Sequence, residues 1–321
     1  MKKPPTLPRL LRLSVLASSF LLLGPALAAP FAYVPNQESG TLSVIDTATD
    51  TVVGTIPAGS KPRGLATAID GKTIYVSDQT NNALQVIDLE KRAITGTVKL
   101  AESPEGVSVS PDGKYVVAAS EISNSVAFIS TATRKTIFTV HTEGKNPEHA
   151  EFSPDGKWLY VSAEEADTLD IVDVAARKQV KSVKLGKRPR GIGFTSDSKT
   201  AYVAAELVST VYVIDVATQK VTTEIKAGNF SNGVVVRPDD KRVFISNGKD
   251  GTVSAIDTAT NKVVATIPVG KRPWNMAITP DGKKLYVANG RSNSVTVIDA
   301  ESNKVLKEVA VGELPWGVVI H

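Results

Sequence analysis

Residues 273–310 of the chain have the sequence PWNMAITPDGKKLYVANGRSNSVTVIDAESNKVLKEVA. Four short runs in this stretch alternate Val, Ile, Tyr and Ala with polar residues, and turn-forming clusters separate the runs. Alternation with a period of two predicts strands, and Pro-Asp-Gly at 280–282 predicts a tight turn, because proline fixes φ and glycine accepts positive φ. The stretch therefore predicts one four-stranded antiparallel sheet, with strands over 274–279, 284–288, 294–298 and 304–309.

The same pattern repeats along the chain. Segments related to SVTVID end 42 or 43 residues apart, at Asp46, Asp88, Ser130, Asp173, Asp215, Asp257 and Asp299. Seven such units fill residues 29–321 and leave no room for a second domain. Stacked four-stranded units of this period predict an all-β protein with the fold of a seven-bladed β-propeller.

The two ends of the repeat predict how the ring closes. The first predicted strand, Phe31–Val34, matches the second strand of a blade, and the last segment, Trp316–Ile320, matches a first strand. We therefore expect the C-terminal strand to pair with the N-terminal blade, so that no sheet edge stays open at the junction.

Residues 1–28 have the features of a secretory signal peptide. Four basic residues precede an apolar run over 13–23, and Ala26-Leu27-Ala28 matches an A-x-A cleavage site. The run is about half of the ~20 apolar residues that a spanning helix needs, so no membrane span is expected after cleavage. The sequence thus predicts an exported protein, periplasmic or alternatively extracellular, with one propeller over residues 29–321.

Composition excludes several classes of function. The chain has no cysteine, which rules out disulfides, Cys-ligated metals, covalent c-type haem and a cysteine nucleophile. Without the signal, 33 basic residues balance 33 acidic ones, so a general nucleic-acid surface is not expected. The sequence has neither a G-x-S-x-G motif nor a phosphate-binding P-loop motif. We expect no bound cofactor, and we expect the protein to be a monomer.

Tyr-Val pairs at 33, 75, 160, 202 and 286, together with S-P-D-G-K and S-V-x-V-I-D-x-x-T segments, resemble the YVTN family of β-propeller repeat proteins. The resemblance covers residues 29–321, and the Gly-His and Trp-Asp dipeptides of WD40 blades are missing. Seven compact repeats behind a signal peptide are most similar to the exported propellers associated with PQQ-dependent alcohol catabolism. This resemblance implies a periplasmic accessory protein; it supplies no catalytic motif and no ligands for PQQ itself.

Residues that recur in every blade are predicted to be structural. The six repeated aspartates and Ser130 begin turns in which a side-chain oxygen accepts a backbone N–H, so we interpret them as turn caps rather than metal ligands. The tyrosines of the Tyr-Val pairs are predicted to pack between blades.

Residues that differ between blades are the candidates for a site. The second position of each inner strand is expected to encircle one mouth of the central channel, and it is occupied by Arg63, Glu105, Glu148, Arg190, Asn232, Trp274 and Trp316. The first four form a charged arc and the two tryptophans an aromatic arc, which favours an amphipathic small molecule or a loop of a periplasmic protein partner. The alternative is that Arg63–Glu105 and Glu148–Arg190 are ion pairs of the rim and that the tryptophans seal the channel.

The next position inward is glycine in five blades, His149 in the fourth and Asn275 in the seventh. His149 lies beside Glu148, with Glu164 and Glu165 in the loop above, and is therefore a weak candidate for acid–base catalysis or, with Glu148, for binding a metal. The alternative is a structural channel histidine held by a carboxylate.

Taken together, these features predict a non-enzymatic exported propeller that binds a ligand or a partner around the channel mouth, as an accessory to PQQ-dependent alcohol oxidation. One alternative is a lactonase-like hydrolase using His149 and Glu148. Another is a glycan-binding protein. Basic loops such as Lys271-Arg272-Pro273 alternate with acidic ones, which indicates either a solvated mixed-charge face or a docking site for anions.

Overall fold

The computed structural model describes residues 1–3 and 30–321, so the predicted signal peptide falls outside the described residues except for its first three positions. The described part contains seven four-stranded antiparallel sheets and one 3-10 helix, Glu206–Val208. The prediction of a seven-bladed propeller is confirmed. No helix in this part of the chain combines the length and apolar character required to cross a bilayer.

Each blade has an inner, a second, a third and an outer strand. For blades 1 to 7, the inner strands are β28 (Val319–Ile320), β4 (Pro62–Thr67), β8 (Pro104–Val109), β12 (Pro147–Phe152), β16 (Pro189–Phe194), β20 (Ser231–Val236) and β24 (Pro273–Ile278). The second strands are β1 (Phe31–Asn36), β5 (Thr73–Asp78), β9 (Tyr115–Ser120), β13 (Trp158–Ala163), β17 (Thr200–Ala205), β21 (Arg242–Asn247) and β25 (Lys284–Asn289). The third strands are β2 (Thr41–Asp46), β6 (Ala83–Asp88), β10 (Ser125–Ser130), β14 (Thr168–Asp173), β18 (Thr210–Asp215), β22 (Thr252–Asp257) and β26 (Ser294–Asp299). The outer strands are β3 (Thr51–Pro57), β7 (Ala93–Lys99), β11 (Lys135–His141), β15 (Lys178–Lys184), β19 (Lys220–Lys226), β23 (Lys262–Pro268) and β27 (Lys304–Ala310).

The core of the protein lies between the blades. Seven apolar clusters each combine residues of two neighbouring blades, as where Tyr160 of blade 4 packs with Ile192 and Val203 of blade 5. The tyrosines of the Tyr-Val pairs are at most 7% exposed, which confirms their structural role. Since no blade can bury both of its faces alone, each depends on its neighbours for stability.

The repeated aspartates cap turns, as predicted. The Asp215 carboxylate accepts the Thr218 N–H at 2.7 Å, and the Ser130 hydroxyl accepts the Thr133 N–H at 3.2 Å in the one blade without an aspartate. The same contact is made by Asp46, Asp88, Asp173, Asp257 and Asp299. These carboxylates are used locally and do not form a central site.

The ring closes through blade 1, again as predicted. Ala32 pairs with Ile320 and Tyr33 with Val319, and the backbones of Phe31 and His321 exchange two hydrogen bonds of 2.8 and 2.9 Å. The Trp316 N–H donates to Pro35 at 3.0 Å, which anchors the segment before β28. The regular ladder is shorter than the predicted 316–320, and an isolated bridge between Asn36 and Pro315 continues the pairing before it.

We expect deletion of residues 313–321 to destabilise the whole ring, because it removes the inner strand of blade 1 and exposes the cluster around the buried Val318. The expected loss of unfolding free energy is about 4 kcal/mol or more. In a protein of this size it corresponds to a fall of about 8 °C or more in Tm, which circular dichroism can measure. The His321→Ala variant keeps the β28 backbone and serves as the control. An unchanged Tm in the deletion variant would contradict the assigned closure.

Candidate functional site

The inner strands place a ring of side chains around one end of the channel. All seven residues predicted for this ring line a single cavity of about 290 Å³, which we call the mouth cavity, and Asn275 also contributes to its wall. Six of them occupy the second position of an inner strand, and Trp316 occupies the equivalent position in the segment that leads into β28, so all seven lie at one level of the channel. The charged arc and the aromatic arc face each other across the cavity.

Four further residues of the wall lie outside the predicted ring: Gln79, Glu121, Arg188 and Arg272. The two arginines belong to the basic loops noted in the sequence, whereas Gln79 and Glu121 were not singled out. Gln79 and Glu121 directly follow second strands, at the position that is Gln37, Glu164, Glu206, Gly248 and Gly290 in other blades. This position differs between blades as strongly as the predicted ring does, so the repeat alignment contained the signal for it. Glu164, which was noted, also lines the cavity, whereas Glu165 is exposed and does not.

Arg190 is the centre of the charged arc. Its guanidinium contacts Glu148 and lies 2.5 Å from Glu164 Oε1 and 3.0 Å from Glu206 Oε2, although its side chain is only 12% exposed. The Arg272 guanidinium reaches the other oxygen of Glu206 at 2.6 Å. These carboxylates raise the pKa of Arg190 above its ordinary value despite its burial, so it stays charged.

Arg63 organises the other end of the arc. Its guanidinium contacts the buried Glu105 and donates from Nε to Gln37 Oε1 at 3.2 Å, while Gln79 donates to the same Glu105 oxygen at 3.1 Å. Both ion pairs expected from the sequence, Arg63–Glu105 and Glu148–Arg190, are therefore present. They lie in the wall of the cavity and leave its interior open.

Three carboxylates of this wall resemble a metal-binding cluster. Glu105, Glu121 and Glu148 each place one oxygen within 4.8 Å of the others. However, Arg63 contacts Glu105 and Arg190 contacts Glu148, so guanidinium groups already neutralise two of the three. Burial raises the pKa of Glu121, whose carboxylate accepts from Ser103 at 2.8 Å. The donor set fits arginine better than a divalent cation.

The aromatic arc depends on glycine in the loops above it. A Cβ atom on Gly290 would lie 2.4 Å from the Trp274 ring, and one on Gly248 would lie 3.0 Å from the Arg272 guanidinium. Blades 6 and 7 have glycine at the position where blades 3 to 5 have glutamate, which leaves space for the indole. Trp274 is half-buried, whereas Trp316 is 8% exposed and stacks on His149, so Trp274 is the more accessible indole of the arc.

His149 and Asn275 form a plug beneath the mouth cavity. The imidazole stacks on Trp316 with ring centres 5.4 Å apart, and its Nε2 lies 3.2 Å from Asn275 Oδ1. Below it, a channel cavity of about 400 Å³ is lined by His149, Glu151 and mainly apolar residues. His149 thus faces the channel cavity rather than the mouth, and its Nδ1 is 3.9 Å from Glu148. Burial, reinforced by Arg190, lowers the pKa of His149 to about 4, so the imidazole is neutral near pH 7.

Glu164 is a residue of the mouth cavity whose pKa is shifted towards neutral pH. Burial, together with its hydrogen bond to Glu148, raises its pKa to about 8. Near pH 7 it therefore holds a proton between two carboxylates, which allows Glu148 and Glu164 to approach the same guanidinium.

Comparison with known proteins agrees with this architecture. Residues 6–321 match the model of the YNCE-like beta-propeller family. No curated protein matches the sequence significantly.

Three solved structures are similar in fold. Hydrazine synthase of Kuenenia stuttgartiensis has a TM-score of 0.79 at 22% identity, covering 88% of this chain and 99% of that chain. A functionally unknown protein from Desulfotomaculum acetoxidans has a TM-score of 0.79 at 20% identity, covering 90% and 98%. A candidate 6-phosphogluconolactonase from Bacteroides uniformis has a TM-score of 0.78 at 20% identity, covering 91% and 100%. At these identities the likeness shows the propeller fold alone.

We expect the Arg190→Met variant to lose about 3–5 kcal/mol of unfolding free energy at pH 7, because it leaves Glu148 buried without its counter-ion and removes one of the guanidinium groups around Glu164 and Glu206. Urea unfolding measures the loss, and lowering the pH should restore part of it by protonating those carboxyls. The control is Arg291→Met, at an exposed arginine without an ion pair among the described residues, expected to change stability by less than about 0.5 kcal/mol. Equal effects of the two variants would contradict the assigned network.

A second prediction concerns pH. Between about pH 4.5 and 8 the folded protein keeps a proton on Glu164 that the unfolded chain has lost, so this group lowers stability as the pH rises through that window. We expect the difference in unfolding free energy between Glu164→Gln and the wild type to change by more than about 1 kcal/mol in favour of the variant from pH 5 to pH 8, because one pKa unit equals about 1.4 kcal/mol. The matched control is the exposed Glu165→Gln, and parallel pH profiles for Glu164→Gln and wild type would refute the assignment.

Proposed function

The chain belongs to the YNCE-like β-propeller family, and we propose that it is a non-enzymatic binding protein whose mouth cavity holds a small molecule with a planar face and a polar head. The observation that carries this proposal is the pairing of two unlike walls: the Trp274–Trp316 arc on one side and a charged arc on the other. An indole wall accepts a planar group, and the opposite wall offers fixed hydrogen-bond donors and acceptors.

The charged wall is arranged before any ligand arrives. Arg190, Arg63 and Arg272 are each held by carboxylates, so a ligand does not have to order these long side chains. Binding to a preorganised wall loses less side-chain entropy than binding to free arginines. The rigidity of the ring supports specific recognition.

The same wall argues against catalysis. The described residues that line the mouth cavity include no serine, threonine, lysine or histidine, and its arginines and most of its glutamates are occupied by one another. His149, the candidate base from the sequence, is neutral, stacked on Trp316 and directed to the channel cavity.

One observation favours a lactonase-like hydrolase as the alternative. Glu164 lines the mouth cavity with a proton it retains to about pH 8, which is the property of a general acid near neutral pH. In this alternative Glu164 replaces His149 as the acid–base group.

We further propose that the protein acts after export, in the periplasm, as an accessory to PQQ-dependent alcohol oxidation. The support for this part is the signal-like sequence of residues 1–28 and the resemblance of the repeats to exported propellers. Detection of the protein in the periplasmic fraction, with residues 1–28 removed, would test the location.

The binding proposal is tested by titrating the purified protein with benzyl alcohol, benzoate and benzamidine, using calorimetry and tryptophan fluorescence. The chain has three tryptophans and two of them line the mouth cavity, so binding should change the emission. Trp274→Ala should weaken binding about tenfold or more, equivalent to about 1.4 kcal/mol.

The matched control is Trp158→Phe in β13, which packs against the cluster between blades 4 and 5 and should leave affinity unchanged. The proposal fails if no probe binds, or if Trp274→Ala has no effect. Turnover of γ-butyrolactone that disappears in Glu164→Gln would replace it with the hydrolase alternative.

A further inference from the structure

A second cavity adjoins the mouth over blades 6 and 7. It has a volume of about 650 Å³ and is lined by Phe230, Lys249, Lys271, Arg272, Arg291 and the backbone of Gly270, among others. We call it the basic groove. Arg272 lines both cavities, so the groove continues directly from the mouth cavity.

Three cations of the basic groove have no counter-ion. Lys249, Lys271 and Arg291 form no ion pair within residues 30–321, in contrast to Arg63 and Arg190 in the mouth.

The carboxylates of the groove do not neutralise these cations by contact. Asp250 accepts from the backbone and side chain of Asn229 at 2.7 and 2.9 Å, and Glu308 accepts from Ser294 at 2.7 Å. Both carboxylates keep their formal negative charge, so the three unpaired cations leave the groove with a net excess of one positive charge, while their ammonium and guanidinium groups stay available to an anion.

Phe230 is an unusual residue for its position. It ends the loop that leads into β20 and has φ of +60°, a left-handed conformation that is unfavourable for a bulky side chain. The fold imposes this conformation on the same position in other blades, where the residues are Ser103, Asn146, Arg188, Arg272 and Leu314. Phe230 is the one aromatic residue at this position among the seven blades, so the contacts of its ring distinguish blade 6.

The Phe230 ring holds two of the cations. Lys249 Nζ lies 5.6 Å and Arg272 Cζ 5.3 Å from the ring centre, within the range of cation–π contacts. The ring thus keeps positive groups in the groove without neutralising them. A carboxylate at this position would have cancelled the charge.

The opposite side of the same propeller face, over blades 3 and 4, is mainly negatively charged. Blades 3 and 4 present Glu102, Glu143 and Glu165, all exposed, beside Glu121 of the mouth cavity and with one exposed lysine, Lys145, among them. An anion over the mouth is repelled from that side and attracted towards the basic groove. The charge distribution therefore orients a ligand as well as attracting it.

From this arrangement we infer that the basic groove is the anion-recognition part of the mouth site, and that the ligand is a small molecule with two or more anionic oxygens attached to a planar portion. The inference rests on the proposed function, because it assigns the charge of the same ligand. The anionic oxygens lie on Lys249, Lys271 and Arg291, and the planar portion reaches Trp274 past Arg272.

The test compares aromatic probes that share a ring and differ in charge: benzyl alcohol, benzamidine, phthalate and phenyl phosphate. We expect one of the two dianions to bind about tenfold or more tightly than benzyl alcohol at low ionic strength, and added salt to reduce the difference. The dianion that binds more tightly identifies carboxylate or phosphate as the preferred group.

Variants locate the preference. Lys249→Ala and Arg291→Ala should each weaken dianion binding about tenfold and leave benzyl alcohol unaffected, since a hydrogen bond to a charged group is worth about 1.5–3 kcal/mol. Lys145→Ala is the control, at an exposed lysine of the loop that enters β12 in blade 4, the position that Lys271 occupies in blade 7. Phe230→Asn copies the residue of blade 4 at this position, so it should keep or raise Tm while weakening dianion binding.

The outcomes separate the two proposals. Trp274-dependent binding of all probes with equal affinity, or a preference for benzamidine, overturns the anion inference and leaves the proposed function standing. Dianion binding that is unchanged in Lys249→Ala and Arg291→Ala also overturns it. Tighter binding of a hexaglutamate peptide than of either dianion would assign the groove to an acidic protein segment instead, and no binding of any probe removes both proposals.

Discussion

The close approach of neighbouring inner strands is the constraint from which the site follows. At the third position of these strands, a Cβ atom on Gly64, Gly106, Gly191 or Gly233 would lie 2.1–2.6 Å from a backbone oxygen of the next blade. Where the residue is not glycine, its side chain has to leave this crowded layer. His149 and Asn275 do so by extending into the channel, where they meet Trp316. One layer of the ring thus separates a charged mouth from a channel cavity whose lining residues are mostly Gly, Ala, Val and Ile.

Above this layer, the seven blades divide between two chemistries. Blades 2 to 5 contribute the charged residues of the mouth apart from Arg272 of blade 7, and each buried charge is compensated by a neighbour from another loop, as Glu206 is by Arg190 and Arg272. Blades 6, 7 and 1 contribute Asn232, Trp274 and Trp316. The blades share one backbone geometry but carry different side chains. The ring therefore holds a charged wall and an aromatic wall at a fixed distance from each other. Buried charges of this kind cost desolvation energy and do not by themselves stabilise a fold, which is consistent with a role in recognition.

The sequence determined the fold almost completely, because the repeat fixes strand number, blade number and closure together. It also identified the seven residues of the mouth, since a shared register places them at one level. It did not identify Arg188 or Arg272 as wall residues, because their side chains reach the cavity from loops whose shape depends on neighbouring blades. The direction of His149 was equally hidden, as it is set by stacking on Trp316 from another part of the chain. The backbone conformation of Phe230 has no signature in a sequence where Ser, Asn, Arg and Leu occupy the same position.

The pairing of β28 with β1 has a consequence for the order of folding. Six blades are built from contiguous segments, whereas blade 1 joins Ala32 to Ile320 across nearly the whole chain. Contacts within a blade form early, but this last pairing has very high contact order and carries the largest loop-closure entropy. The open ring preceding it exposes a strand edge and an apolar face, the features that make intermediates prone to aggregate. Closure of blade 1 should therefore be the slow step of folding and the point at which chaperones are most useful.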